Sequence, residues 1–147
     1  MDSQNIEIRE VQWEEAEAVL RSIRSQVFIQ EQRVPVELEW DGLDSGSVHL
    51  LAVTAQCHAV GTVRLRPDSH IGRMAVLKEW RNKKVGTALL NRIVQIARES
   101  GMQQVVLNAQ TTAIGFYEKF GFQIAGEEFM DAGIPHYRMI LPLDQKS

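Results

Sequence analysis

The sequence predicts a single α/β (α+β) domain, a mixed sheet with helices on both faces in the order β-α-β-β-β-α-β-α-β-β. Three observations carry this. A chain of 147 residues suffices for one core and is too short for two comfortable ones, so residues 1–147 form one domain. The apolar spacing switches repeatedly between the alternation of strands and the wider period of helices. Three short strands follow one another with only tight turns between them, so part of the sheet is an antiparallel meander rather than wholly parallel.

Taken in order, Ile6 and Ile8 alternate with Glu7 and Arg9 as a first strand. WEEAEAVLRSIRSQVFIQEQ then sets Ala16, Val19, Leu20, Ile23, Val27 and Phe28 at helical spacing, with acidic residues in the first turn where the helix dipole favours them. That helix ends before Pro35. RVPVELEWDGLDSGS has no period and reads as a loop or short irregular helix of the kind that borders binding faces. VHLLAVT and AVGTVRLR form a hairpin turning near Gln56, with Val63 and Leu65 on one side and Arg64 and Arg66 on the other; HIGRMAV adds a third strand. Val85, Leu89, Ile93, Ile96 and Ala97 then mark a helix that Gly101 terminates. VVLNAQ is a buried strand, and TTAIGFYEKF a short helix with Ala113, Phe116, Tyr117 and Phe120 on one side. GFQIAGEEF and PHYRMIL are two closing strands joined by DAGI.

The composition, 44% hydrophobic and 24% charged, is that of a folded soluble protein, with any disorder confined to the ends. A net charge of -3 gives no general attraction to nucleic acid or anionic membrane, so an anion site must be a local cluster. Cys57 is the one cysteine; it can form no internal disulfide and lacks zinc-site spacing, which suits a reducing compartment without a structural metal. The acidic, polar start MDSQNIEIREVQ and the lack of a membrane-length apolar run give the expectation of a cytoplasmic protein with no membrane partner.

The chemistry gathers at RNKKVGTALLNR. Free N–H groups at a helix start form an anion site, Gly86 permits close approach, and Arg81, Lys83 and Lys84 add charge suited to a phosphate or pyrophosphate. If the preceding MAV segment splayed from its neighbour, its backbone could pair with an extended, amide-bearing ligand. The same stretch also reads as a solvated basic helix start whose glycine serves packing.

HIGRMAVLKEWRNKKVGTALLNRIVQIA resembles the acetyl-CoA-binding motif of the GNAT superfamily of N-acetyltransferases, and NAQTTAIGFYEKFGF resembles that superfamily's second signature. Both stand in the family's order, and the element order is GNAT-like across nearly the whole chain. The resemblance implies acetyl-CoA as the acetyl donor. It assigns Arg81, Asn82, Lys83, Lys84, Val85, Gly86, Thr87 and Ala88 to a pyrophosphate loop, and the backbone of Met74, Ala75 and Val76 to the pantetheine arm. Asn108, Gln110, Phe116, Tyr117 and Lys119 complete the implied cofactor contacts. Two positions depart from the pattern: Lys84 stands for the loop's first glycine and Gln110 for an asparagine. Since a backbone-mediated site constrains φ and ψ more than side chains, Lys84 is expected to point to solvent while its N–H still serves.

Acetyl transfer to an amine needs a neutral amine, stabilisation of the developing oxyanion and a proton for the departing thiolate. The MAV backbone offers oxyanion donors, and by resemblance Tyr117 is the general acid, though it also reads as a packing tyrosine. His136 is the candidate base, imidazole being the side chain suited to proton transfer near neutrality, and equally reads as an ordinary strand histidine. Glu127, Glu128 and Asp131 are substitutes for it or binders of a cationic acceptor, or else a solvated edge. Direct attack is preferred to an acyl-enzyme because Cys57 has no motif around it. VFIQEQRVPVELEWDGLD and EEFMDAGIPH together resemble a bacterial subset described as ElaA-like or YjcF-like. That likeness sets Arg24, Phe28, Glu31, Gln32, Trp40 and Asp41 by an acceptor pocket, with Phe28 and Trp40 alternatively core residues. The expected partner is a small-molecule amine taken up by a monomer or homodimer. The rivals are a non-catalytic acyl-CoA sensor or interaction module, and a nucleic-acid patch at Arg81–Lys84 that the acidic balance opposes.

Overall fold

The computed structural model describes residues 6–143; the two ends, to which any disorder was expected to be confined, lie outside the described residues. Strands β1 (Glu7–Val11), β2 (Val48–Val53), β3 (Ala59–Leu65) and β4 (Ile71–Val76) form an antiparallel sheet in that order. Strand β5 (Gln104–Gln110) pairs antiparallel with β8 (Ile134–Pro142), which is flanked on its other side by β6 (Gln123–Ile124) and β7 (Phe129–Asp131). Alternation explains how helices cover both faces. On β2, Leu50 and Ala52 turn to one core and Leu51 and Val53 to the other. Helix α1 (Trp13–Arg24) packs Trp13, Leu20 and Ile23 against Leu51, Val53 and Ala75. Helix α3 (Val85–Glu99) covers the opposite face with Val85, Leu89, Leu90 and Ile93, meeting Val63 and Leu65 of the first sheet and Val105, Leu107 and Met139 of the second. A Cβ on Gly61 of β3 would lie 3.1 Å from Val85 Cγ1 and 3.2 Å from Leu89 Cδ1, so α3 is pressed directly onto the strand.

Two elements differ from the sequence expectation. The helix expected to run toward Pro35 widens after Arg24 into a π-helical stretch, Ser25–Glu31, in which Gln32 N–H donates to the Val27 carbonyl at 3.0 Å. Such widening is frequent at functional sites. GFQIAGEEF is not one strand: Gly126, at φ 116°, swings the chain out of the ladder between β6 and β7 while Ala125 N–H still reaches the Arg138 carbonyl. The irregular 33–47 segment holds one short helix, α2 (Val36–Glu39).

The two sheets touch where β4 and β5 begin. His70 pairs parallel with Val106, and Val106 N–H donates to the Ser69 carbonyl at 3.0 Å. Beyond that junction β4 has no ladder to β5 among the described residues. A bulge at Arg73, φ 51°, shifts the β3–β4 register at the same level. The sheet is therefore open along Met74–Val76, as the splayed-strand expectation required.

Candidate active site

The loop before α3 turns through two left-handed residues, Asn82 at φ 62° and Lys84 at φ 68°. Lys84 is exposed and takes, as the N-cap, the conformation that a glycine adopts freely. Its carbonyl receives the Ala88 N–H at 3.1 Å, while the N–H groups of Val85, Gly86 and Thr87 have no partner among the described residues and no side chain caps them. They converge at the positive end of a helix of 15 residues. Space above Gly86 is open: a Cβ there would meet only Phe116 Cζ, at 3.7 Å, so packing does not demand the glycine. Phe116 lies on helix α4 (Ile114–Glu118), and thus the two sequence motifs, distant along the chain, meet at Gly86. Phe116 also stacks edge-on with Tyr117 and Phe120, at 5.0 and 5.6 Å between ring centres.

On the other side of the β4–β5 opening lies a cleft of about 500 Å³. Its walls bring together Gln32 just after the π-helical stretch, Met74 from β4, Asn108 and Gln110 from β5, Tyr117 from α4 and His136 from β8, with Phe28, Asp41 and Asp131 around them. Burial pushes the Tyr117 hydroxyl up to about 12, and it has no hydrogen-bond partner among the described residues. His136 Nδ1 lies 2.7 Å from the Ile134 carbonyl. A carbonyl only accepts, so Nδ1 carries the proton and Nε2 is left as the acceptor. Phe129 stacks on the ring and fixes its plane. Gln110 Nε2 donates to Gln32 Oε1 at 3.0 Å, tying β5 to the end of the first helix.

Other expected site residues sit elsewhere. Arg81 donates from Nε to the Val76 carbonyl at 2.9 Å and holds Glu31 with both Nη atoms, at 2.6 and 2.7 Å. Its hydrogen bonds keep Glu31 below the usual carboxylate range. The pair clamps the first helix to the α3 loop, and neither residue lines the cleft. Lys83 lies 6.0 Å over the Trp80 ring. Ala75 and Val85 are buried in the core, Thr87 and Ala88 are half-buried, and Lys119, Glu127 and Glu128 are exposed.

Arg24 is 1% exposed and lies beneath the cleft wall rather than on it. Its Nε donates to Glu39 at 2.6 Å and its Nη1 to Asp44 at 2.7 Å, under the Trp40 ring. Arg64 joins by bonds to Asp41 and Asp44, and Arg73 by bonds to Asp41 and the Leu38 and Glu39 carbonyls. Burial pushes Asp41 up, but the Arg64 hydrogen bonds, the Leu43 N–H and the charges of Arg64 and Arg73 outweigh it and bring it to about 2. Burial prevails at Glu39, which sits above its ordinary value. Arg64, Arg66, His70, Arg73 and Glu39 line the cleft without having been singled out as site residues. The alternation of Arg64 and Arg66 opposite the apolar Val63 and Leu65 was the available signal.

A family model described as an acetyltransferase (GNAT) domain matches residues 10–143. YjcF of Bacillus subtilis (strain 168), described as an uncharacterized N-acetyltransferase, is 38% identical over 122 residues, 80% of this chain and 86% of its own. Among solved structures, Escherichia coli ElaA is 27% identical with a TM-score of 0.82, covering 92% of this chain and 98% of that one. A GNAT family acetyltransferase from Elizabethkingia anophelis, solved with acetyl-CoA bound, shares the fold at 17% identity and a TM-score of 0.72, over 95% and 99% of the two chains.

Proposed function

Because the chain belongs to the GNAT acetyltransferase family and is thereby an acyltransferase, we propose that it binds acetyl-CoA at the α3 start and moves the acetyl group to a small-molecule amine in the adjoining cleft. The observation that carries this reading is the meeting of free Val85–Thr87 N–H groups, open space over Gly86 and an unpaired β4 edge at one place. Those features fit the group: N–H groups and dipole for a pyrophosphate, and strand backbone for an amide-bearing arm. No helix among the described residues is long and apolar enough to cross a membrane.

Bound acetyl-CoA supplies the acetyl group as a thioester, whose C–S bond breaks as the N–C bond to the amine forms. The chain's own residues handle protons and charge. His136 Nε2, the free acceptor of a ring oriented through Nδ1, takes a proton from the amine. The backbone of Met74–Val76 lacks a β5 partner and can donate to a developing oxyanion. Tyr117, held protonated by burial, offers its O–H to the departing sulfur. A thiol near the cysteine value of about 8.5 is the stronger acid of the two, so Tyr117 acts chiefly as a hydrogen-bond donor that stabilises thiolate, with full transfer uphill. Direct attack within a ternary complex is favoured because the cleft lining includes no cysteine.

Gly86→Asp tests the donor site by placing a carboxylate over the free N–H groups. Acetyl-CoA affinity should fall by at least about 100-fold, the scale of losing charge-assisted contacts and adding repulsion. Unchanged affinity in the folded variant would remove this assignment.

A further inference from the structure

We propose that the acceptor is an amine that also bears an oxyanion, and that Arg73, backed by Arg64 and His70, receives that anion on the β3–β4 wall of the cleft. This rests on the reading of the cleft as the acceptor site. The buried side-chain nitrogens without a hydrogen-bond partner among the described residues are Arg64 Nε, His70 Nδ1 and Arg73 Nε, and all belong to residues lining this one cleft. Arg64 is itself 2% exposed. His70 Nδ1 lies 3.5 Å from Asp68 Oδ1, whereas the two arginine Nε–H groups are donors in any state; burying unpaired donors is costly, so these two mark where a ligand brings acceptors.

The backbone holds the three together. Arg64 stands opposite Gly72 in the β3–β4 register, and Arg66 N–H donates to the His70 carbonyl at 2.8 Å. Arg73 is set by its bulge: Nη2 is shared among the Leu38 and Glu39 carbonyls and Asp41 Oδ2, at 3.0 to 3.2 Å. Its Nε lies 3.3 Å from Glu39 Oε1 without hydrogen-bond alignment, and its Nη1 has no partner among the described residues. A guanidinium so anchored through one nitrogen presents the rest with little entropy left to lose on binding. Elsewhere in the cleft, at the β7–β8 turn, Asp131 has no ion-pair partner among the described residues, and His136 stands on the same hairpin. Asp131 attracts an ammonium and His136 deprotonates it, while the Arg73 end holds the anion. The cleft thus has opposite polarity at two places, which suits an amino acid or an aminoalkyl phosphate better than a simple polyamine.

The arginine Nε–H resonances of the whole protein report this directly. Each would be assigned by Arg64→Lys and Arg73→Gln variants, whose backbone spectra also verify folding. β-Alanine, O-phosphoethanolamine and β-alaninamide share an aminoalkyl chain and differ in the terminal group. The Arg73 and Arg64 signals should move with at least one of the two anions at a midpoint at least tenfold below that of the amide. The anion with the lower midpoint identifies carboxylate or phosphate as the group read. Arg73→Gln should erase the preference. Signals unmoved by both anions, or moved as readily by the amide, would overturn the proposal. A separate acetyl-CoA titration of the same sample tests the donor site, so failure of the transferase reading and failure of the anion site are distinguishable.

Discussion

Arg24 illustrates how burial decides between a binding and a supporting role. Its guanidinium bonds to Glu39 and Asp44, whose side chains are 3% and 7% exposed. Arg24→Ala removes the cation and leaves both carboxylates in place. Breaking a buried pair by removing one partner costs about 3–5 kcal/mol, because an uncompensated charge stays inside. Here Asp44 keeps Arg64 at 3.0 Å and Glu39 keeps Arg73 at 3.3 Å, so the lower end, about 3 kcal/mol, applies. At about 2–4 °C per kcal/mol for a domain near this size, Tm should fall by about 6–12 °C. Glu39 has its value raised by burial even with Arg24 present, and losing Arg24 raises it further. A folded-state value above the unfolded one makes the ionised form the costly one, so the penalty should be largest near neutrality and shrink as the solution is acidified and Glu39 takes up a proton. Urea unfolding of both proteins at neutral and mildly acidic pH reads this. A loss below about 1 kcal/mol at neutral pH, or one that grows on acidification, would refute the reasoning.

Lys84→Gly should stabilise the fold by about 1 kcal/mol, since Lys84 occupies the left-handed region at φ 68°, and should leave acetyl-CoA affinity intact; weaker binding would mean the lysine side chain itself contacts the donor. Tyr117→Phe should preserve acetyl-CoA binding and lower the transfer rate by about 10–100-fold, measured as thiol release, whereas an unchanged rate would leave Tyr117 as packing. With Tyr117 near 12, no alkaline limb from this group should appear in the rate profile below about pH 10. Asp41 and Asp44 have folded-state values below their unfolded ones, so their contribution is present above the ordinary 3.8 and is lost as pH falls below it, for Asp41 through about 2; unfolding free energy should drop on that acidification, and a flat profile would contradict the ion network.

The features on which the proposed donor site rests are local in sequence. RNKKVG announces a helix start, FYEKFGF announces an aromatic face, and the fold brings Phe116 to Gly86. Lys84 in a glycine's place was expected to point to solvent, and it is exposed, while its left-handed φ of 68° is the conformation that a glycine adopts without strain. The cleft proposed for the acceptor is lined by residues that share no local period. Arg73 matters through a bulge, and a bulge leaves no mark in the alternation of HIGRMAV. Arg24 lies on a helix face whose sequence reads the same whether it meets solvent, a pocket or the acidic 39–44 segment; only the folding of that segment buries it. Gly126 broke a strand that its neighbours alone suggested was continuous, because one left-handed residue outweighs several apolar ones in a short edge strand.

Calorimetric titration of the protein with acetyl-CoA, with ADP as the control for bare phosphate affinity, tests the central claim most directly. Binding of acetyl-CoA at least about tenfold tighter than ADP, equivalent to about 1.4 kcal/mol, is the predicted result, since the open β4 edge adds contacts that a nucleotide alone cannot make. Equal affinities, or no binding of acetyl-CoA by the folded protein, would contradict it.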